Sequence, residues 1–347
     1  MLFSNAFVTP KYGKVALVGL AFLGVIATLL LTGKSDAGQE EIPCTTLEGF
    51  GKPVKALAFS PDGKILATGS GWPAGPGGKL TRIGEVQLWD VDEGTERTSL
   101  GEYPNSIESL AFSPNGRTLA VGCYDGTVTL WDLLRGQSSQ VFLRSSKECH
   151  YILAFSPDGE ILANWGLGSL RLRHLNTGDE PTVQGVLGPV AFCPGDHRLG
   201  VTRFHNITIC NAWKGQEFFS PAMGRYAPWN FAFSPDGKSL AAGGYEGKVT
   251  IWDVNSGEGR ITVSDQGVNV VGFSPDGTTL ASGSFDGTVK LRAVATGEEL
   301  VCLRGHGRAV AALAFAPDGQ KIASGSYDQT VRIWRLGNRW RIVGCSP

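Results

Sequence analysis

The sequence lacks an excess of charge of either sign. Its 347 residues include 31 lysines and arginines and 32 aspartates and glutamates, which gives a formal net charge of −1 at pH 7. Proteins that bind nucleic acid concentrate positive charge to match the phosphate backbone, and this balanced composition gives no such electrostatic footprint. We therefore expect no nucleic-acid partner.

The short motifs of common catalytic sites are also missing. The sequence contains no GxxxxGK[ST] phosphate loop, no HExxH metal-binding helix and no GxSxG nucleophile turn. The five histidines are scattered, and only His197 and His205, on either side of a predicted strand, form a conceivable metal pair. No third ligand is evident for them. We therefore expect no metal, no other cofactor and no catalytic residue.

A six-residue phrase, AFSPDG at Ala58 to Gly63, recurs in seven related copies along the chain. A conserved spacing near 40 residues indicates an array of similar units, each of which must stack on its neighbours to bury its apolar faces. The spacings between the anchoring phenylalanines are 53, 43, 37, 41, 40 and 42 residues. These phenylalanines are Phe59, Phe112, Phe155, Phe192, Phe233, Phe273 and Phe315.

Each unit is predicted to contain four short strands. In the second copy, the strands are Ile107 to Phe112, Thr118 to Gly122, Thr127 to Trp131 and Gln140 to Leu143. The first two are separated by Ser-Pro-Asn-Gly, in which proline presets one backbone angle and Asn-Gly tolerates a tight reversal. Seven such units of about 40 residues predict an all-β fold of radial blades that close into a ring.

The phrases FSPDG, SGSxDGTV and Trp-Asp resemble the WD40 repeat, and the resemblance covers roughly Cys44 to the C-terminus. It implies a seven-bladed WD40-type β-propeller over residues 44–347. The Trp-Asp pair stands in three copies, as Trp89-Asp90, Trp131-Asp132 and Trp252-Asp253, and the last copy has Trp334-Arg335. The other copies depart from the pattern and have Arg173-His174, Cys210-Asn211 and Arg292-Ala293.

The resemblance also implies a buried hydrogen-bonded set in each regular blade, made by a histidine, a strand serine or threonine, a turn aspartate and the tryptophan. Only the last copy contains all four, as His306, Ser324 or Ser326, Asp328 and Trp334. The third and fourth copies lack the turn acid. We therefore expect the third and fourth blades to be the least regular.

In WD40 proteins the segment before the first repeat supplies the outer strand of the last blade, and the resemblance assigns this role to Cys44 to Leu47. The segment from Arg339 to Val343 follows Trp334 and could claim the same edge, so both remain open at this stage. Ring closure would bring Cys44 near Cys345, and a disulfide between them is an alternative to the expectation that most of the seven cysteines are small buried apolar residues.

The repeated PDG aspartates could be mistaken for a calcium-binding or catalytic series. They are Asp62, Asp158, Asp236, Asp276 and Asp318. We expect them to form turns, because aspartate followed by glycine favours a tight reversal. With one per blade at the outer turns, they would lie too far apart to share an ion.

Before the repeats lies an uncharged, mostly apolar run of nineteen residues, Val15 to Gly33, long enough for a helix that crosses a membrane. Lys11 and Lys14 favour a cytoplasmic N-terminus, which would place the propeller on the other side. The domain prediction is therefore a tail and anchor helix at 1–33, a linker at 34–43 and the propeller. The alternative is a signal peptide cleaved near Ala37, followed by secretion.

The resemblance points to a docking face that carries the turns between the second and third strands of the blades. Candidate residues include the aromatic residue before each turn acid, which could form a ring around the central channel or merely pack against neighbouring blades. The long spacing of the first blade adds a loop, Gly71 to Gly84, on the same face. The candidate partner-binding residues are Trp72, Lys79, Arg82, Tyr124, Tyr245, Phe285, Arg308 and Tyr327, with Lys52 as a charged neighbour.

The sequence thus predicts a non-catalytic scaffold that displays a rigid docking face at a membrane to a protein or peptide partner. Two alternatives remain. One is a propeller enzyme that uses the central channel, and the other is a structural subunit of an envelope complex.

Overall fold

The computed structural model describes most of the repeat region and none of the N-terminal segment. The predicted helix Val15 to Gly33 and its flanking lysines lie outside the described residues, as does the segment Arg339 to Val343. Within the described part of the chain, no helix is both long and apolar enough to cross a membrane. The described residues are 42–72, 83–142, 152–166, 168–186, 188–196, 198–203, 206–211, 217–219, 228–244, 247–265 and 267–337.

The described residues form seven antiparallel sheets of four strands. In chain order the first fourteen strands are β1 (Cys44–Leu47), β2 (Val54–Phe59), β3 (Ile65–Ser70), β4 (Gly84–Asp90), β5 (Glu96–Tyr103), β6 (Ile107–Phe112), β7 (Thr118–Cys123), β8 (Val128–Asp132), β9 (Gln137–Phe142), β10 (Ile152–Phe155), β11 (Ile161–Gly166), β12 (Ser169–His174), β13 (Thr182–Gln184) and β14 (Val190–Phe192). The remaining strands are β15 (Arg198–Arg203), β16 (Asn206–Asn211), β17 (Glu217–Phe219), β18 (Asn230–Phe233), β19 (Ser239–Gly243), β20 (Lys248–Asp253), β21 (Gly259–Ser264), β22 (Val268–Phe273), β23 (Thr279–Ser284), β24 (Val289–Ala293), β25 (Glu299–Leu303), β26 (Val310–Phe315), β27 (Lys321–Ser326) and β28 (Val331–Arg335).

Each blade uses four strands in chain order, so blades 1 to 6 begin with β2, β6, β10, β14, β18 and β22, and blade 7 contains β26, β27, β28 and β1. The first strand of each blade is the innermost one, and it contacts the first strands of both neighbouring blades. Because β2 also contacts β26, the seven sheets close into a ring. The seven-bladed propeller predicted from the repeats is therefore confirmed.

The apolar core lies between the blades rather than inside any one of them. Among the described residues it divides into seven clusters, and each cluster joins two neighbouring sheets. Between blades 1 and 2, for example, Val86 and Leu88 of β4 pack with Ile107, Leu119 and Val121 of the next sheet. A single blade therefore cannot bury its apolar surface without its neighbours, as expected for stacked repeats.

The ring is closed by the segment before the first repeat. Strand β1 pairs antiparallel with β28, with Cys44 opposite Trp334 and Leu47 opposite Val331. The backbone N–H of Arg335 donates a hydrogen bond to the Pro43 carbonyl and extends this ladder. The predicted role of Cys44 to Leu47 is confirmed, and β1 takes the edge for which two segments were considered.

The cysteines follow the expected pattern in part. Cys123, Cys193 and Cys210 are buried, and burial raises the pKa of the Cys123 thiol to about 12. Cys44 is exposed, whereas Cys345 lies outside the described residues. The disulfide between Cys44 and Cys345 therefore stays a prediction.

The PDG aspartates form turns, as expected, but these turns lie at a different place from the predicted one. The Ser60 hydroxyl and the Lys64 N–H both donate to the Asp62 carboxylate, at 2.5 and 3.1 Å. These turns follow the innermost strand of each blade and not an outer strand. Neighbouring turns also approach one another, since a Cβ on Gly63 (φ 72°) would lie 3.4 Å from Pro317 Cδ. We call the end of the ring that carries these turns the lower face.

The four side chains expected to form the buried set of the last blade do lie together. His306 Nδ1 is 2.9 Å from the Asp328 carboxylate, and His306 Nε2 is 2.8 Å from the Ser324 hydroxyl. The Trp334 indole N–H donates to the same hydroxyl at 3.0 Å. Burial lowers the pKa of His306, although the neighbouring Asp328 opposes this shift. The set ties the connection before β26 to strands β27 and β28.

Blade 6 fills the equivalent positions with charges. Arg292 pairs with Leu280 on the neighbouring strand, and Trp334 pairs with Ile322 in the same register in blade 7. Asp265 lies shortly before β22, at the place that His306 has before β26. The Asp265 side chain is fully buried, and its carboxylate accepts hydrogen bonds from the Ser282 hydroxyl at 3.0 Å and from Arg292 at 2.9 Å. Lys290 also donates to this carboxylate, at 2.6 Å, and this hydrogen bond raises the pKa of Lys290. An ionic set thus replaces the His-Asp-Ser-Trp set.

Blades 3 and 4 are the least regular blades, as expected. The outer strands β13 and β17 and the inner strand β14 contain three residues each. Blade 3 has Arg173 at the place of the tryptophan, and its Trp165, in the second strand, donates from the indole N–H to the Val186 carbonyl at 2.8 Å. An apolar cluster joins these two blades, and further clusters join them to blades 2 and 5.

Asp265→Asn should strongly destabilise the protein. The change removes the buried negative charge that both cations contact and leaves them only the partly exposed Glu299 carboxylate, at 3.1 Å from Arg292 and 3.6 Å from Lys290. Breaking a buried pair in this way costs up to about 3 kcal/mol. The matched control is Asp92→Asn, since Asp92 is an exposed partner of Lys321 at 3.0 Å and such a pair contributes less than about 1 kcal/mol. Urea denaturation of both variants measures the difference. Equal midpoints for the two would contradict the role of the ionic set.

Stability should fall on mild acidification because of His306. The pKa of His306 is lowered in the folded protein, so the fold favours the neutral imidazole. The stability that this shift contributes is complete above the pKa of histidine in the unfolded chain, which is about 6.5. It is lost as the pH falls from about 6.5 through the lowered pKa. The urea midpoint should therefore decline more between about pH 7 and pH 5 for the wild type than for His306→Gln. Parallel declines would show that His306 does not carry the effect.

Candidate interaction site at the channel mouth

The central channel is lined by one repeated position of the innermost strands, the residue four places before the anchoring phenylalanine. In four blades a register shift leaves this residue as the extra residue of a β-bulge: Lys55, Glu108, Asn269 and Ala311. A bulge re-aims its side chain out of the regular alternation. In blades 4 and 5 the same position is Gly188 and Trp229.

These residues line an axial cavity of about 530 Å³. It opens at the end of the ring opposite the PDG turns, which we call the upper face, where the turns between the second and third strands lie. Its volume falls within the range of about 300 to 1,000 Å³ that is typical of ligand-binding sites. The cavity is also lined by Trp165, Asn230 and Tyr327.

One side of the cavity wall carries a buried ion pair between blades 1 and 2. Lys55 Nζ lies 2.6 Å from Glu108 Oε1, and the two side chains are only 5% and 8% exposed. The two charges compensate one another at this distance. This part of the wall is therefore polar but has no net charge.

The opposite side carries two exposed aromatic side chains. Trp229 of blade 5 is 47% exposed and Phe285 of blade 6 is 39% exposed. Their rings meet edge to face, with centroids 5.2 Å apart. This geometry suits the ring quadrupoles. Trp229 lines the cavity and Phe285 packs against it, so the pair forms part of the cavity rim.

Two asparagine side chains, Asn230 and Asn269, also line the cavity. The Asn230 carbonyl oxygen accepts a hydrogen bond from the Val271 N–H at 3.1 Å, and the Asn269 NH2 group donates to the Val310 carbonyl at 2.9 Å. Each bond joins neighbouring blades and fixes the orientation of the amide. These two bonds do not use the Asn230 NH2 group or the Asn269 carbonyl oxygen.

The residues predicted for the docking face differ in their burial and in their neighbours. Tyr327 is half-buried in the cavity wall, and its pKa is raised by burial and further by the charge of Glu108. Phe285 belongs to the exposed aromatic pair, while Tyr124 is half-buried beside the Ser106 carbonyl that its N–H contacts. Trp72 and Arg308 are exposed. The predicted residues Lys79, Arg82 and Tyr245 lie outside the described part of the chain.

Except for Tyr327, sequence reasoning missed the residues that line the cavity. It concentrated on the turns, whereas Trp229, Asn230 and Asn269 lie on or beside the inner strands. The available signal was the residue four places before each phenylalanine, because it is polar or large in several copies at a strand position where the flanking residues are apolar.

Metal chemistry has no support within the described ranges. They contain no group of three or more His, Cys, Asp or Glu side chains that could hold a metal ion. The predicted alternative pair, His197 and His205, lies outside those ranges.

Comparison with known proteins gives a match to the family model described as "WD domain, G-beta repeat". The matched residues are 41–72, 94–132, 226–253, 259–292 and 297–335. The chain carries WD40 repeats. The third and fourth copies of this WD40 propeller lie between the matched segments, in the region that lacks the Trp-Asp pair and the turn acid.

Several curated proteins resemble the WD40 propeller. Periodic tryptophan protein 2 of Arabidopsis thaliana is 22% identical over 59% of this chain and 22% of its own length. Protein tipD of Dictyostelium discoideum is 25% identical over 67% of this chain and 39% of its own length. Transducin beta-like protein 2 of Homo sapiens is 26% identical over 45% of this chain and 34% of its own length. The chain thus spans no more than about two fifths of these relatives.

Proposed function

We propose that this WD40 propeller is a non-catalytic interaction scaffold whose upper face binds a protein or peptide partner. The observation that carries the proposal is the exposed aromatic pair Trp229 and Phe285 at the rim of the axial cavity. Large aromatic side chains supply contact area with little loss of conformational freedom and are enriched among the residues that dominate binding energy.

The ring provides the rigid support that such a site needs. Trp229 belongs to the segment that leads into β18, where its N–H donates to the Gly243 carbonyl at 3.1 Å. Phe285 is held by the hydrogen bond from its N–H to the Gly267 carbonyl at 3.0 Å. Because the two rings are already ordered before a partner arrives, binding sacrifices little further conformational entropy.

The enzyme alternative finds less support in the cavity. Lys55 and Glu108 are the charged side chains of its described wall, and they are hydrogen-bonded to each other. A general acid or base must be free to exchange a proton with a substrate. A permanent subunit of an envelope complex would use the same face, and it differs from a scaffold only in the lifetime of the assembly.

We also propose that the propeller is tethered to a membrane through Val15 to Gly33, with the N-terminus in the cytoplasm and the propeller on the other side. The support comes from the sequence, in which nineteen uncharged, mostly apolar residues follow Lys11 and Lys14. Cleavage near Ala37 is the competing outcome.

Trp229→Ala and Phe285→Ala should each reduce partner capture. Truncation of an anchor residue typically costs about 2 kcal/mol or more in binding, which is about thirtyfold in affinity. The measurement is crosslinking followed by affinity purification of the full-length chain from its native cells, with quantitation of each co-purified protein. Leu134→Ala is the matched control, since Leu134 is exposed in a turn at the lower face. Capture that survives both aromatic changes would exclude the upper face as the docking site.

Membrane fractionation of the full-length chain tests the tether. The wild type should stay in the membrane pellet after alkaline carbonate washing, and Leu23→Arg with Ile26→Arg should release it, because arginine at the centre of a spanning helix costs about 3 kcal/mol per residue. The double change Leu134→Arg with Trp72→Arg adds the same charge to the propeller and should leave the protein in the pellet. A soluble wild-type chain that begins after Ala37 would establish cleavage, and a soluble intact chain would exclude both proposals.

A further inference from the structure

We propose that the axial cavity selects an uncharged peptide segment, which presents an amide to Asn230 and Asn269 and an apolar side chain to Trp229 and Phe285. This inference rests on the proposed function, because it specifies the chemistry of the partner at the same site. Three features of the cavity carry it: the cancellation of its charges, the orientation of its two amides and the position of its aromatic rim.

The charges of the cavity wall exclude a charged occupant. Lys55 and Glu108 are the charged residues of the described wall, and they already satisfy each other at 2.6 Å in a nearly solvent-free position. A carboxylate or ammonium group that entered the cavity would lose its water and gain no free countercharge. An uncharged segment meets no such penalty.

The two asparagines present complementary halves of an amide-binding site. Their structural bonds, from the Val271 N–H and to the Val310 carbonyl, leave the Asn230 NH2 group as a donor and the Asn269 carbonyl oxygen as an acceptor. Both side chains line the cavity, and the structure gives these two atoms no partner among the described residues. An amide carries one carbonyl acceptor and N–H donors, so it can satisfy both.

The aromatic rim supplies the apolar half of the site. Trp229 lines the cavity next to Asn230 in the chain, and Phe285 packs on its edge. A segment whose amide bonds to the asparagines would therefore place a neighbouring side chain against these rings. The amide can come from the peptide backbone or from an Asn or Gln side chain, and both share the required chemistry.

Asn230→Asp tests this selectivity with little change of shape. The substitution keeps the oxygen that accepts from Val271 N–H, but it replaces the cavity-facing NH2 donor with a charged acceptor. The matched control is Asn255→Asp, which adds the same charge in an exposed turn between β20 and β21 at the lower face. The probe is a phage library of random linear peptides, selected against the full-length chain in detergent, and the fold of each variant is checked by thermal unfolding.

We expect the wild type and Asn255→Asp to enrich peptides with an uncharged common core that includes a large apolar residue. Their binding should fall at least about tenfold in Trp229→Ala and in Asn230→Asp, as for loss of a hydrogen bond that leaves a desolvated group unpaired. Reselection on Asn230→Asp should enrich lysine or arginine in the core. Peptides made with Asn and Gln replaced by Ala separate backbone recognition from side-chain recognition.

The other outcomes overturn this inference and leave the proposed function separable from it. Peptides that require Trp229 but have a charged core, or that bind Asn230→Asp unchanged, would contradict amide selection while supporting the docking face. Selection of no peptide that requires Trp229 would also contradict it, and the capture experiment would then decide the proposed function by itself.

Discussion

The pairing of β1 with β28 is the constraint on which the rest of the structure depends. Every apolar cluster lies between two blades, so each blade is half of two cores and none can be stable alone. An open row of seven blades would leave two unpaired faces, whereas the ring leaves none. Because β1 comes from the start of the repeat region and β28 from its end, four backbone-paired residues bind the segment that leads into the first blade to the sheet of the last blade. Leu47 adds a buried side chain to the cluster between those blades.

The closed ring fixes where buried polar side chains must lie in a blade, but it does not fix which residue types lie there. The buried hydrogen-bonded set of the last blade contains histidine, serine, aspartate and tryptophan, while the equivalent set in blade 6 contains Asp265, Ser282 and Arg292. An acid replaces the histidine and a guanidinium replaces the indole. The Trp334 indole donates to the serine hydroxyl, whereas Arg292 donates directly to the Asp265 carboxylate, which also accepts from the Ser282 hydroxyl. A change of one partner alone would leave a buried charge, so these residues can only be understood as a set.

The repeats made the fold predictable, because the period near 40 residues, the PDG turns and the Trp-Asp pairs all indicate the same unit. The irregular third and fourth blades also followed from the sequence, whereas the closing strand was narrowed only to two candidate segments, of which Cys44 to Leu47 forms β1. The candidate site was predicted less well. Phe285 and Tyr327 were found through their place before the turn acid, but Trp229 and Asn269 were not. A regular period of two assigns strand side chains to alternate faces, and a β-bulge breaks that assignment in a way that no single copy reveals. The long first-blade loop drew attention to Lys79 and Arg82, which lie outside the described residues.

The bulge position explains how one strand can serve both stability and recognition. In the four inner strands that carry the bulge, the neighbours of this position, such as Val54 and Ala56 or Val268 and Val270, are buried between blades. The residue at this position lines the channel instead. It is lysine, glutamate, glycine, tryptophan, asparagine or alanine in the six blades for which the structure describes it, although the flanking residues remain mostly apolar. Because the channel residues lie beside the apolar inter-blade cores rather than within them, their chemistry can vary between blades while the apolar packing is kept. Some of them add polar contacts between blades, as Lys55 does with Glu108. The asymmetry of the channel wall then gives seven similar blades a single binding orientation.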